Sequence, residues 1–377
     1  MFQRAKGIPV NIDKHLVGKV TRYSYHLDEN TFLILEGSEI ELGGKYYLGV
    51  LSCQDEYDPT FSKNLVYGIP SLDYLAEGDI VAVAMDGGIQ VLYRVHSTHN
   101  TIMATERCNS NCLMCLQPPK DRNDIQFYYQ LNKRLISLIP KDCRELCVSG
   151  GEPTLMGQLF YDMMIHIKAE LPDAEIHVLT NGRSFAWRHL AEKLRDIDNN
   201  KLMLGIPIYS DDYLTHDFIV QSENAYYQTL LGIHNLARLN QRIELRIVLH
   251  KLSIPRLKKL ARYIYKNLPF AEHVVFMGLE YVGYAPFNEK KLWIDPINYQ
   301  NELIDAVEFL STVGMHVSIY NSQLCILPQR LWKFFRKVNS ESNFDILHQC
   351  STCSKLQECG GIFDWNLNKY SNFIKPF

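Results

Sequence analysis

Arg107-Cys108-Asn109-Ser110-Asn111-Cys112-Leu113-Met114-Cys115 puts three thiols within nine residues, and Leu146-Cys147-Val148-Ser149-Gly150-Gly151-Glu152-Pro153 follows one strand–helix interval later. In the first stretch the C-x3-C-x2-C spacing lets a short polar loop curl so that its sulfurs face one cluster. Only three cysteines are offered, so a four-iron cluster would keep one iron open to a substrate or cofactor. The alternative is a zinc site that borrows a distant fourth ligand; the nearest downstream histidines are His166 and His177. In the second stretch an apolar strand runs into Gly150 and Gly151, which permit close approach of backbone to a ligand. Exposed carbonyls there, with Glu152, can accept hydrogen bonds from a cationic amine.

Outward from these motifs, short apolar runs alternate with helical patterns. The expected strands are Ile102–Thr105, Leu146–Ser149, Ile176–Thr180, Leu202–Ile208, Ile243–Leu249 and His273–Met277. Between them, Ile125, Tyr128, Leu131, Leu135 and Ile139 recur at helical spacing, as do Tyr226, Leu230, Ile233 and Ala237. Six strand–helix repeats predict a parallel sheet with right-handed crossovers, an α/β fold of the partial (β/α)6 barrel type. Ligands of such sheets bind at the strand C-terminal ends. Thr180 and Asn181 end the third strand and Ser210 follows the fourth, where it can meet a ribose hydroxyl. Arg246, within the fifth, can hold a carboxylate through two parallel bonds. Ordinary turn chemistry is the competing reading for Asn181 and Ser210, and a structural ion pair for Arg246.

Residues 1–97 differ in texture, with short β-rich runs punctuated by glycine and a hairpin signal at Asp86-Gly87-Gly88. We expect a small β-rich N-terminal domain over 1–97, a barrel over 98–314 and a cysteine-rich region over 315–377. The 377 residues carry 39 Lys+Arg and 42 Asp+Glu, a net charge of −3, which argues against an obligatory polyanion partner such as nucleic acid. At 46% hydrophobic and 21% charged, the chain has ample material for packed cores. Met1-Phe2-Gln3-Arg4-Ala5-Lys6-Gly7 opens with charge and no apolar signal segment follows. The longest apolar stretches, such as Leu202–Ile208, fall far short of the roughly 18–20 residues that span a bilayer. The expectation is a soluble, cytoplasmic protein without membrane partners.

In a reducing cytosol, ten cysteines point to ligation before disulfides. Near the end of the chain Cys350, Cys353 and Cys359 form C-x2-C-x5-C, and Cys325 can supply a fourth thiolate. Four thiolates suit either a zinc knuckle or a four-iron cluster. Cys53, Cys143 and Cys147 are expected to pack as small hydrophobes.

The triad after a short strand, followed by Gly150-Gly151-Glu152-Pro153, resembles the radical S-adenosylmethionine (SAM) superfamily and its GGEP motif. Cys112-Leu113-Met114-Cys115-Leu116-Gln117-Pro118-Pro119, Met277-Gly278-Leu279-Glu280, Leu324-Cys325 and Cys359-Gly360-Gly361-Ile362-Phe363 further resemble the radical SAM maturases of the His-Xaa-Ser system, in particular the HxsC-like branch. The resemblance implies a [4Fe–4S] cluster on Cys108, Cys112 and Cys115 whose open iron chelates SAM. SAM contacts would come from Gly150, Gly151, Glu152, Pro153, Thr180, Asn181, Ser210, Arg246 and Met114. Reductive cleavage of SAM would then give a 5′-deoxyadenosyl radical that takes hydrogen from a ribosomally made precursor peptide. An auxiliary [4Fe–4S] cluster on Cys325, Cys350, Cys353 and Cys359 is implied, with zinc as the alternative. The implied partners are a precursor peptide with His-Xaa-Ser repeats, a second radical SAM maturase, a small accessory protein and an electron donor. Met114 departs from the aromatic residue usual before the third cysteine. Other readings of the chain are an enzyme acting on another protein or RNA, and a catalytically silent scaffold for a partner maturase.

Overall fold

The computed structural model describes residues 4–35, 46–56, 64–337, 344–345 and 347–377; Met1–Gln3 lie outside them. The chain divides into two compact units. One comprises Met1–Ile102, Gln126–Leu146 and Ile165–Ala174, and the other Met103–Ile125, Cys147–Met164 and Glu175–Phe377.

The first unit holds eight short strands: β1 (Arg4–Lys6), β2 (Ile8–Val10), β3 (Leu16–Thr21), β4 (Thr31–Leu35), β5 (Gly49–Ser52), β6 (Leu65–Tyr67), β7 (Ile80–Val83) and β8 (Gly88–Tyr93). Their order, β1-β8-β7-β3-β4-β5-β6-β2, begins and ends on strands separated in sequence only by Gly7. One continuous segment therefore pairs with both edges and closes the sheet on itself, which removes the free edges an open sheet would expose. Gly7 is required at the junction, since a Cβ there would stand 2.5 Å from the Tyr67 carbonyl oxygen. The interior is apolar, with Phe32, Leu51, Val66, Leu72, Val81 and Val83 at most 1% exposed, and Cys53 packs against it. The Asp86-Gly87-Gly88 hairpin forms as expected: Ala84 N–H donates to the Gly88 carbonyl at 2.8 Å, and Gly87 takes φ +80°.

A second sheet runs in strict chain order: β9 (Asn100–Met103), β10 (Glu145–Ser149), β11 (Glu175–Leu179), β12 (Leu202–Pro207), β13 (Arg242–Leu249), β14 (His273–Gly278) and β15 (Val317–Tyr320). The pairs from β11 to β15 are parallel. Interleaved are α1 (Ile125–Leu138), α2 (Gln158–Glu170), α3 (Arg188–Asp196), α4 (Tyr213–Val220), α5 (Ala225–Arg238), α6 (Leu257–Asn267), α7 (Glu289–Leu292) and α8 (Gln300–Thr312). The sequence pattern counted six strands; β15 is the seventh. Its four residues, Val-Ser-Ile-Tyr, are too short to show periodicity, and they lie beyond residue 314, where the barrel was expected to end.

Period-two alternation decides what faces inward. In β13, Ile243, Leu245, Ile247 and Leu249 are at most 3% exposed. Burying each such side chain stabilises by roughly 1.5–3 kcal/mol. The opposite face carries Arg242, Glu244, Arg246 and Val248. Glycines set close approaches: a Cβ on Gly232 of α5 would stand 2.1 Å from the Gly182 carbonyl oxygen after β11. Among the described residues, no helix is long and apolar enough to cross a membrane.

Candidate active site

The loop from Cys108 to Cys115 is held from several sides within the second unit. Asn111 and Leu113 N–H donate to the Val220 and Ile219 carbonyls at 3.0 and 2.9 Å, which ties the loop to the end of α4. Tyr284 N–H donates to the Cys115 carbonyl at 2.9 Å, and Asn288 Nδ2 to that of Leu113 at 2.9 Å. Arg183, just past β11, donates to the Asn109 carbonyl, to Ser110 Oγ at 3.1 Å, to Ser222 Oγ at 2.9 Å and to Gln228 Oε1 at 2.7 Å. Upstream, the buried Asp124 carboxylate accepts from Thr105 Oγ1 at 2.6 Å and from Glu106 N–H at 2.8 Å.

The thiols are enclosed and close enough to feel one another's charge. Burial, then the neighbouring Glu152 charge, pushes Cys108 up to about 11. Burial raises Cys112 further, with Cys115 and Cys108 adding to it, and burial also raises Cys115. Burial keeps the three thiols protonated, and a cationic cluster bound in the loop would reverse the local balance and deprotonate them.

The glycine-rich loop packs closely against the cysteine-bearing segment. A Cβ on Gly150, at φ +138°, would stand 2.4 Å from the Thr105 carbonyl oxygen, and one on Gly151 would stand 2.0 Å from that of Arg107. Gly151 and Glu152 N–H donate to those two carbonyls at 2.7 and 2.8 Å. These glycines let the loop close on the cysteine-bearing segment itself. Glu152 is likewise committed to protein: fully buried, it accepts from Thr154 N–H and Oγ1 at 3.1 and 2.6 Å, Thr180 Oγ1 at 2.7 Å and Asn181 N–H at 2.7 Å. It pins the end of β11 beside the loop, and Pro153 starts a short turn of helix behind it. The carboxylate expected to meet an amine has four partners already.

Thr180 is buried. Asn181 reaches the cysteine loop through Nδ2 to Asn109 Oδ1 at 2.6 Å, and its Oδ1 accepts from Arg183 N–H at 3.0 Å. Arg246 makes the ion pair that was its competing reading, with Glu244 at 2.6 Å, and its other arm reaches Met277 Sδ at 3.1 Å. Glu244 also meets His273 Nδ1 at 2.9 Å, and His273 Nε2 meets Ser318 Oγ at 2.9 Å. Burial opposes ionisation of Glu244, yet hydrogen bonds from His177 and His273 and the Arg246 charge hold it well below the usual carboxylate range. Met114 is 5% exposed, in an apolar cluster with Leu113, Tyr209, Ile219 and Val220. Ser210 is buried and accepts from Asp212 N–H at 3.1 Å, so it serves the turn into α4.

Sequence reading missed two residues here. Arg183 stood one position past the Thr180-Asn181-Gly182 signal, but nothing in its neighbourhood tells a loop clamp from a solvated arginine. Tyr209 sat inside an apolar run, where an aromatic is unremarkable.

At the C-terminus, Cys325, Cys350, Cys353 and Cys359 line one cavity of about 180 Å³. Burial raises Cys325 and Cys350, and each feels the charge of Cys359. Cys353 N–H donates to the Cys350 carbonyl at 3.0 Å, and Leu324 N–H points to Cys359 Sγ at 3.4 Å. Among the described residues, no three Cys, His, Asp or Glu side chains are placed to hold one metal ion, so neither group of thiols converges on a single point. Cys143 is buried, as expected; Cys147 lies on the less packed face of β10, opposite Leu146 and Val148.

A loop of three thiols beside the C-terminal ends of an incomplete parallel α/β barrel defines a class. Residues 102–280 match the family model described as the Radical SAM superfamily, and this segment has the radical SAM α/β fold. The superfamily implies a [4Fe–4S] cluster and SAM, and the donor set at Cys108, Cys112 and Cys115 fits that group. An uncharacterized protein of Methanocaldococcus jannaschii, MJ0907, is 23% identical over 274 residues, covering 71% of this chain and 90% of the relative. Among solved structures, Streptococcus suis SuiB bound to S-adenosylmethionine is similar at 12% identity and a TM-score of 0.47, over 63% of this chain and 52% of that one. Native anSMEcpe with bound AdoMet follows at 18% identity and 0.44, over 58% and 63%. The chain thus spans between half and two thirds of the solved structures it resembles.

Proposed function

We propose that this chain is a radical SAM enzyme that modifies a ribosomally made precursor peptide of the His-Xaa-Ser type. A second radical SAM maturase, a small accessory protein and an electron donor are its proposed partners. In this reading Cys108, Cys112 and Cys115 hold the SAM-binding cluster, and Cys325, Cys350, Cys353 and Cys359 hold an auxiliary [4Fe–4S] cluster. The observation that carries it is the gathering of those four C-terminal cysteines around one cavity, in the same compact unit as the triad. When bound, the first cluster and SAM supply one-electron cleavage and removal of a hydrogen atom from the substrate.

The chain's own residues do the rest. Three thiols leave one ligand position free. Arg183 and the ends of α4 and β11 hold the loop, so little reorganisation is needed when ligand arrives. Arg246, steadied by Glu244, keeps further N–H donors for a carboxylate. Leu113, Met114 and Tyr209 make an apolar wall that excludes water.

The test is iron, sulfide and zinc content of the anaerobically reconstituted chain beside the Cys108/Cys112/Cys115 triple alanine variant. Two four-iron clusters give about eight iron per chain, falling to about four in the variant. About four iron with one zinc keeps the enzyme and makes the C-terminus a structural knuckle. Zinc without iron overturns the radical reading.

A further inference from the structure

The triad loop is bordered by two segments whose inner and outer sides differ. α4 bonds to it through the Ile219 and Val220 carbonyls, and the stretch from Tyr281 to Leu292 through Tyr284 N–H and Asn288 Nδ2. Gly283 shows how tightly that stretch lies on the loop: at φ +63°, a Cβ there would stand 2.2 Å from the Cys115 carbonyl oxygen. Inward, Ile219, Val220, Ala285 and Leu292 pack in one apolar cluster with Leu113 and Met114. Outward, large apolar side chains are left in solvent. Phe287 is 86% exposed, and Phe218 and Leu116 are half-exposed.

Three lysines rim these side chains. Lys291 Nζ stands 5.6 Å from the centre of the Phe218 ring, and Lys290 is its chain neighbour. Lys251 joins them, its N–H donating to the Leu292 carbonyl at 2.9 Å and its Nζ to that of Lys290 at 3.5 Å. All three are exposed, and among the described residues none pairs with a carboxylate. The acidic residues of the same elements face other partners: Glu289 meets Lys369 at 2.6 Å, Asp217 accepts from Tyr226 N–H at 2.7 Å, and Asp212 caps α4. In a chain of net charge −3 this is a local positive rim around an apolar centre, the mark of an interaction surface.

We propose that Leu116, Phe218 and Phe287, with Lys251, Lys290 and Lys291 at their rim, dock an acidic protein that carries a one-electron donor. The donor loses one electron and the oxidised cluster on the triad gains it; no bond breaks and no proton crosses the interface. The position favours this occupant over the substrate. A hydrogen atom is taken only at contact distance, whereas an electron crosses a layer of protein. Leu116 directly follows Cys115, and Phe218 precedes the carbonyl that holds Leu113, so a single layer of chain lies between this surface and the thiols. A few apolar side chains inside a charged rim also suit the small, transient interfaces of electron-transfer partners. The lysines steer an acidic partner and speed its encounter. The inference rests on the triad holding the cluster of the proposed function, and it places that reading's electron donor.

The experiment is binding of two acidic carriers, a flavodoxin and a ferredoxin, to the full, iron-loaded chain at low salt, read by calorimetry. Reduction of the cluster by each reduced carrier is followed by electron paramagnetic resonance, with dithionite as a small reductant that needs no docking. At least one carrier should bind the unaltered chain. Phe287→Ser should weaken that binding about tenfold, and so should Lys290→Glu combined with Lys291→Glu. Both variants should be reduced more slowly by the carrier, at unchanged iron content and unchanged reduction by dithionite. Lys266→Glu, in the last turn of α6, should bind as the unaltered chain does. Added salt should erase most of the difference between the unaltered chain and the lysine variant. Neither carrier binding the iron-loaded chain, the variants binding as tightly as it does, or the variants losing the precursor peptide instead of the carrier overturns the assignment alone. A chain that takes up no iron on the triad overturns the proposed function and this inference with it.

Discussion

The two cysteine groups of this protein are built in opposite ways. The triad loop is short and clamped: Arg183, Asn181, Asn288 and the end of α4 all bond to it, and it follows a strand of the sheet. The C-terminal group is spread over 35 positions from Cys325 to Cys359, around an apolar nucleus of Ile326, Ile362 and Ile374, and among the described residues the four cysteines lie in turns and short helical segments. The first site is fixed by the fold before any ligand arrives. The second gathers its thiols by loop packing, so a bound metal group there would contribute directly to folding. Around a bound iron–sulfur group, three thiols would leave room for a reactant, and four would close the site on protein.

The comparison is broken or sharpened first by removing one thiol from each side. Cys112→Ala should abolish SAM cleavage and cost about four iron per chain, with a small effect on melting. Cys353→Ala should spare the SAM-dependent resonance shift, cost the other four iron, and lower the melting temperature more. Metal analysis and calorimetry of both variants check this; persistent SAM cleavage in Cys112→Ala removes the triad from its role.

The clamp comes next. Arg183→Gln removes the guanidinium bonds to buried Ser110, half-buried Ser222 and the exposed Asn109 carbonyl, which keeps Ser222 Oγ at 3.3 Å, at a cost of about 1 kcal/mol. Chemical denaturation should show that loss, together with faster iron release from the first site and unchanged release from the second.

The smallest effect is in acid. Burial, then the Arg183 charge, holds His216 down at about 4. The unfolded imidazole takes its proton near 6.5 while the folded one stays neutral, so stability is full above about pH 6.5 and declines below it toward pH 4. The decline should reach about 2 kcal/mol by pH 5. His216→Phe should flatten the curve between pH 6.5 and 5 in the second unit; a slope as steep as before would show that other groups carry it.

Much of this was legible in the residues. Period-two apolar runs such as Ile243–Leu249 located six of the seven strands within a residue or two, because the packed face of a parallel strand tolerates little but aliphatics. Spacing grouped Cys350, Cys353 and Cys359, with Cys325 offered as a fourth thiol, and all four line one cavity. For other residues the sequence left the protein partners open: Glu152, Gly150 and Ser210 are polar or permissive residues at the strand ends, and type and place do not say what they bond within the fold. Glu152 was taken by Thr180 and Asn181, and Ser210 by the turn into α4.

What the sequence by itself determined is the chemistry on offer: three thiols on one loop, four more at the end, and strands that end where ligands bind. These follow from local spacing and periodicity, which a single chain carries openly. Tertiary structure alone decided which side chains hold the triad loop in place. That outcome depends on contacts between residues far apart in sequence, as when Arg183 reaches Asn109 across 74 positions.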